Sequence, residues 1–478
     1  MKALSLDEVI ALINEAIVTD NLPQAEHLLH PALDQHHKHP QLWFIAGNIE
    51  QKKQHWGAAR IFYERSISLF EHASVYANLG AACRRMNDVE AALKYLLRAI
   101  ELDPKNETAL NNLAASYVNE GKPLRGIEWA KKCIEANPQS HKARWNMGLM
   151  QLEAGDFENG FRNYRAGIAA GERMLRSYAK EDQTPLLEAD SLPAWQKFRM
   201  EHGRKPILCV WGEQGIGDEI MFASILWDAS QDFEIVYECH PRLESMIKYS
   251  MVSHRIYGTR KERVIQWPID DKIFPEVKCP IGDLAVIYRQ SRESFRCHEG
   301  YLRIPVDLRI KTRDWLRSLA EQHSGRKIVG FAWSGGIVKT NLAYRSMRLE
   351  QLKALISDPR IFPICLQYED ATAEIEALGI SMAYPRAALE HFDYAHTAAI
   401  VAHCDAVVSV NTSIVHLAGA LAVPTYVLTP SRPAWRYGVE GKEMVWYPGT
   451  HKQYRQTGQD WEPALAELKT DLEREILQ

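Results

Sequence analysis

The sequence predicts an all-helical repeat array followed by two alternating α/β halves. Three observations carry this. Small residues recur at a fixed spacing through the first 170 residues. From Pro206 onward, apolar runs of strand length alternate with segments of helical spacing. Two strand-to-helix loops, 212–218 and 411–413, place glycines or hydroxyl-bearing residues where a helix begins. At roughly 150 residues per domain, the 478 residues hold about three domains.

In the array, Gly47, Gly80, Ala114 and Gly148 share one phase, at spacings of 33, 34 and 34. Ala59, Ala92, Gly126 and Gly160 repeat it twelve residues later. Small residues at two fixed phases let paired helices pack closely, and Pro104 and Pro138 end two of the units. This pattern resembles the tetratricopeptide repeat. Four fair repeats follow a degenerate one around Ala25 and Ala32, so residues 1–170 are expected to form a superhelix that holds another polypeptide. Asn78, Asn112 and Asn146 stand in register, two residues before the small position, in three successive repeats. Asparagine is an indifferent helix former, so its recurrence needs a reason. Its amide both donates and accepts, which suits an extended backbone of any sequence. The arrangement resembles the asparagine ladder of the nucleocytoplasmic O-GlcNAc transferase. The three residues are therefore assigned to acceptor binding. The plainer alternative is bonding between neighbouring repeats only.

Periodicity fades after Gly167, and 171–204 reads as a connecting segment packed through Leu186, Leu187, Leu192 and Trp195. A first α/β half over 205–324 is expected to have strands at 206–211, 234–239, around 263–266 and 284–287, with helices after 218 and 241. A second half over 325–450 begins with another strand-to-glycine-loop unit at 326–336. Strands near 361–367, 405–410 and 424–429 follow, with a helix near 393–402. Two such halves imply two doubly wound parallel sheets with a cleft between them. The tail, 451–478, has helical spacing from Trp461 to Leu477 and is expected to cross back over the first half.

Both loops carry chemistry. Gly212, Gly215 and Gly217 let backbone approach a ligand, and the free N–H groups of the following helix face a negative group. The bland alternative is that Asp218 caps that helix. The spacing G-x-x-G-x-G is not the G-x-G-x-x-G of dinucleotide oxidoreductases, although Glu238 at the end of the next strand keeps that class weakly in view. At the second loop, Thr412 and Ser413 at a helix start suit a phosphate or diphosphate. Here the alternatives are an ordinary hydroxyl N-cap and, for His416, a packed histidine. No Walker lysine and no Asp-x-Asp motif appear.

Asn411-Thr412-Ser413 through His416-Leu417-Ala418 and Val423-Pro424 resembles the nucleotide-sugar loop of family 9, heptosyltransferase-like glycosyltransferases. The 212–218 loop, Arg345-Ser346, Leu366-Gln367, Trp435-Arg436, Trp446-Tyr447-Pro448 and Arg455-Gln456 resemble bacterial tetratricopeptide-fused glycosyltransferases. The resemblance implies a GT-B fold, here α + α/β, and inverting transfer from a nucleotide-sugar with no metal and no other cofactor. It also implies a flagellin-like protein acceptor. Inverting transfer needs a base at the acceptor hydroxyl and stabilisation of the departing phosphate. Asp218 is the candidate base and Glu213 its runner-up, with Gly215 and Gly217 on the acceptor side. Thr412 and Ser413, with Lys339 and Arg345 as cations, take the phosphate, while Trp333, Gln367 and His416 line the nucleotide pocket. Asn411 stands where that family carries aspartate, which keeps the hydrogen-bonding shape and removes the charge.

Composition bounds the setting. Hydrophobic content of 46% and charged content of 25% are ordinary for globular proteins. A net charge of −4 gives no reason to expect nucleic acid as a partner. No apolar run reaches the roughly 18 residues of a membrane span, and the first residues lack the apolar core of a signal peptide. The eight cysteines contain no Cys-x-x-Cys pair, which fits a reducing cytoplasm. Two rivals stand beside the protein glycosyltransferase: a non-catalytic scaffold with a degenerate sugar-nucleotide unit, and a transferase acting on a glycan or lipid.

Overall fold

The computed structural model describes residues 4–178, 182–262, 265, 267–319, 324–335 and 345–478. The chain divides into two compact units, Met1–Ala154 and Gly155–Gln478.

The first unit is built from helical hairpins. Its described helices are Leu6–Val18, Leu22–Gln35, Pro40–Lys52, Trp56–Leu69, Ala73–Arg85, Val89–Leu102, Glu107–Asn119, Pro123–Ala136 and His141–Glu153. Short polar residues start them: Ser5 forms a capping box with Glu8, and Asp88, Asn106 and Ser140 accept first-turn N–H groups. The small phases are where paired helices cross. A β-carbon on Gly80 would lie 2.5 Å from Leu96 Cγ, closer than atoms can pack. Ala59, Ala77, Ala82, Ala92 and Ala99 fill the same core with Leu79 and Leu96.

The array was expected to run to 170, but helix Phe157–Tyr164 belongs to the second unit. The reason is its aromatic face. Phe161 packs against Trp435 and Trp446, and Tyr164 against Phe222 and Trp435. The connecting segment is likewise part of this unit. Leu186 bridges to Lys278, and Arg173, Arg176 and Tyr178 are buried.

The second unit holds two parallel sheets. In the first, β1 (Ile207–Trp211), β2 (Glu234–Glu238), β3 (Arg255–Tyr257) and β4 (Val277–Pro280) run in the order β3-β2-β1-β4. The second contains β5 (Lys327–Ala332), β6 (Ile361–Cys365), β7 (Ala406–Val410), β8 (Thr425–Thr429) and β9 (His451–Arg455), in the order β6-β5-β7-β8-β9. Such strands are buried on both faces, which is why they read as continuous apolar runs.

Three expectations change here. The apolar run at 284–287 is helical, spanning the end of a 3-10 turn and the helix Ala285–Tyr288, and the strand lies just before it at β4. Short apolar runs do not separate strand from helix by period alone. The strand expected around 263–266 falls mostly outside the described residues, and the neighbouring strand is β3. The tail does not cross back over the first half. Its helix, Glu462–Glu475, packs Ala464, Leu468 and Leu472 into the second sheet's core beside Tyr426, Leu428 and Tyr454. Among the described residues no helix is long and apolar enough to cross a membrane.

Candidate functional site

A cleft of about 340 Å³ lies within the second unit, lined from both sheets. Its walls come from the carboxyl ends of strands, where doubly wound sheets bind ligands. The end of β1 supplies Gly215, Gly217 and Asp218, and the end of β2 leads to Arg242. From the second sheet, β5 supplies Ser334 and Gly335, β6 supplies Gln367, and β7 supplies Asn411, Thr412 and Ser413. The segment after β8 supplies Arg436 and Tyr437.

The two loops approach each other at glycine. A β-carbon on Gly217 would lie 3.1 Å from His416 Cδ2 and 3.4 Å from Ser413 Cα, so the helices after β1 and β7 nearly touch there. The first helix spans Ile216–Ala223 with Gly215 at its N-cap, which places Asp218 in the first turn rather than at the cap. At the second loop the bland reading of one residue holds. Thr412 is the N-cap of helix Ser413–Ala420 and its hydroxyl accepts the Ile414 N–H at 3.2 Å. Ser413 Oγ lies 3.0 Å from the Tyr394 hydroxyl.

Electrostatically the cleft sets three arginines, Arg242, Arg345 and Arg436, against two carboxylates, Asp218 and Glu369. Asp218 is ion-paired with Arg436. Arg345 also lines the cleft, and burial lowers its pKa from the ordinary arginine value. Burial, reinforced by Arg436, pushes His416 well below the ordinary histidine value, so it is a neutral imidazole. Its ring nitrogens lie 3.1 Å from Tyr447 Oη and 3.4 Å from Tyr437 Oη. Gln367 accepts the N–H groups of Trp333 and Ser334 at 2.9 and 3.1 Å, which fixes the loop after β5. Asn411 is only 4% exposed, yet among the described residues neither its amide nitrogen nor its amide oxygen has a partner. Buried amides are normally paired, so this one is positioned for a group that enters the cleft.

Of the residues singled out from the sequence, Asp218, Gly215, Gly217, Arg345, Gln367, Asn411, Thr412, Ser413 and His416 converge on this cleft. Two do not. Glu213 is buried away from it, held by Arg173 at 2.6 Å and by the Gly282 N–H at 3.2 Å, which removes it as a base. Trp333, 1% exposed, packs in the second sheet's core and donates its indole N–H to Glu374 at 3.0 Å. Lys339 lies outside the described residues. Arg242, Arg436, Tyr394 and Tyr437 were missed as site residues. The signal for Arg242 was its place just past the carboxyl end of β2.

The asparagine ladder is corrected too. Asn78 Nδ2 donates to Asn48 Oδ1 and Asn146 Nδ2 to Asn111 Oδ1, each at 2.9 Å, so both amides tie one repeat to the next. Asn112 instead donates to the Thr108 carbonyl of its own helix and accepts from Arg84. Replacing Asn78 or Asn146 by alanine is therefore expected to destabilise the array by about 1 kcal/mol each, more than Asn112→Ala. Melting of the three single variants checks the order.

Beneath the first loop sits Glu219, fully buried and 2.9 Å from Arg260, with the His240 N–H donating to it at 2.6 Å. A β-carbon on Gly212 would collide with this carboxylate. Burial pushes Glu219 up to about 7, against the pull of Arg260. Between the ordinary 4.5 and about 7 the folded chain thus binds more protons than the unfolded one. Stability from this group is then lost as pH rises through about 7. Glu219→Gln is expected to flatten that part of the stability profile, measured as melting temperature from about pH 5 to pH 8.

Comparison with known proteins places these observations. Residues 73–106 and 107–140 each match a tetratricopeptide-repeat family model. Along nearly the whole chain the protein is similar to Protein FlbA of Caulobacter vibrioides, 23% identical over 96% of this chain and 88% of that one. The repeats alone are similar to Hsp70-Hsp90 organizing protein 1 of Glycine max, 32% identical over 16% of this chain and 14% of the relative. A solved structure described as YrrB, a TPR protein with an unusual peptide-binding site, aligns with 34% of this chain and 86% of its own. That alignment has 20% identity and a TM-score of 0.29.

Proposed function

We propose that this chain is a GT-B protein O-glycosyltransferase, metal-independent and inverting. It moves a sugar from a nucleotide-sugar to serine or threonine of a flagellin-like protein held by the tetratricopeptide array. The observation that carries the reading is the convergence of two loop-to-helix starts, three arginines and a buried amide without a partner among the described residues on one cleft. Helix N–H groups and guanidinium donors suit the charge on a leaving diphosphate. Asp218, in the first turn of the helix after β1, supplies the base. In the transfer, the bond between sugar C1 and the diphosphate oxygen breaks, and its electron pair leaves on the phosphate. The acceptor oxygen bonds C1 and its proton passes to the Asp218 carboxylate.

The test is melting in the presence of UDP, ADP, GDP or CMP. A nucleotide at 100 times its dissociation constant stabilises by about 2.7 kcal/mol. One of the four is expected to give that shift, and its sugar conjugate to be hydrolysed slowly without acceptor. No shift with any of them, together with no hydrolysis, would return the protein to the scaffold reading.

A further inference from the structure

Arg436 is placed to serve two partners. Its backbone is pinned, because Trp435 packs among Phe161, Tyr164 and Phe222, while Tyr437 is buried. Its guanidinium pairs with Asp218 in the cleft, and its buried Nε has no acceptor among the described residues. Among the described residues, the charged and titratable groups facing Asp218 are Arg436 and Arg345, with the hydroxyls of Tyr164 and Tyr437. Burial raises both tyrosines, Tyr437 to about 12, so neither changes charge near neutral pH. One carboxylate thus faces two guanidiniums, leaving one positive charge in excess. A diphosphate carries more charge than a carboxylate and accepts the forked donors of arginine in pairs, so it outcompetes a lone aspartate for them.

We infer that Asp218 and the donor diphosphate compete for Arg436, so that donor binding itself frees Asp218 to accept the acceptor's proton. Arg436 is then both a phosphate ligand and the residue that withholds the base until the donor is in place. This ordering resolves a conflict in the site, because the Arg436 guanidinium occupies a carboxylate oxygen that would have to accept the proton. It rests on the donor-site reading above.

Calorimetric titration of the full chain with ADP, UDP, GDP and CDP tests it. Asp218→Asn removes the competitor and is expected to tighten binding of the recognised diphosphate by about 3- to 10-fold. Arg436→Gln is expected to weaken binding at least about 10-fold, and adding Asp218→Asn to it to bring no further tightening. If Arg436→Gln does not fold, Arg436→Lys takes its place, with a smaller loss expected. Binding that Asp218→Asn leaves unchanged or weakens overturns the inference and leaves the donor site standing. Tightening that persists in the double variant also overturns it, since the competition would then not run through Arg436. No binding of any of the four diphosphates, to wild type or variants, overturns the inference, and with no melting shift from CMP it overturns the donor site as well.

Discussion

Asp218→Asn is expected to lower sugar transfer by about 10²- to 10⁴-fold, the range set by loss of a positioned general base. The substitution preserves shape and removes the charge and the proton-accepting oxygen. Helix Ile216–Ala223 is capped at Gly215, so the side chain at 218 contributes no cap and the fold should not suffer. Donor binding survives or tightens, so the loss appears in the rate of transfer at saturating donor rather than in donor affinity. The measurement is transfer to the acceptor protein alongside nucleotide affinity on one preparation. Transfer within threefold or so of wild type would leave Asp218 as a structural partner of Arg436 and pass the role of base to Glu369, the other carboxylate that lines the cleft among the described residues.

The second large effect concerns stability. Arg173→Met is expected to destabilise the α/β unit by about 3–5 kcal/mol, the cost of stripping a buried charge of its partner. Arg173 Nη2 lies 2.6 Å from Glu213 Oε1 and Nη1 lies 2.5 Å from Asp283 Oδ1. All three side chains are nearly inaccessible, and of the two carboxylates Arg165 pairs with Asp283, at 3.2 Å, its other carboxylate partner being Glu188. Methionine fills much of the volume and leaves Glu213 buried without its cation. Urea midpoints of wild type and variant measure the loss. Adding Glu213→Gln should recover part of it, since the amide can still accept the Gly282 N–H without burying a charge. A loss below 1 kcal/mol or so would mean water reaches this network.

Glu213 and Asp218 illustrate where the sequence stops being informative. They sit five positions apart on one loop, and both looked able to act as the base. Burial beside Arg173 settles Glu213 as a tie between the connecting segment and the loop. The glycines of that loop divide in the same way. Gly212 makes room for the buried Glu219, whereas Gly215 and Gly217 line the cleft, Gly217 close to His416 as well.

What the sequence by itself determined was everything set by neighbours along the chain. The repeat period, the apolar strands β1, β5, β7 and β8, and the hydroxyl cap at Thr412 depend on residues a few positions apart. These local rules, together with the resemblance to glycosyltransferases that supplied Arg345 and Gln367, located nine of the cleft's residues before any coordinates. Tertiary structure alone decided what depends on chain-distant partners. It paired Asp218 with Arg436, seated the terminal helix on the second sheet, and turned Asn78 and Asn146 toward neighbouring repeats. Burial and ion pairing are set by which distant segments meet, and helical or strand period carries no record of that meeting.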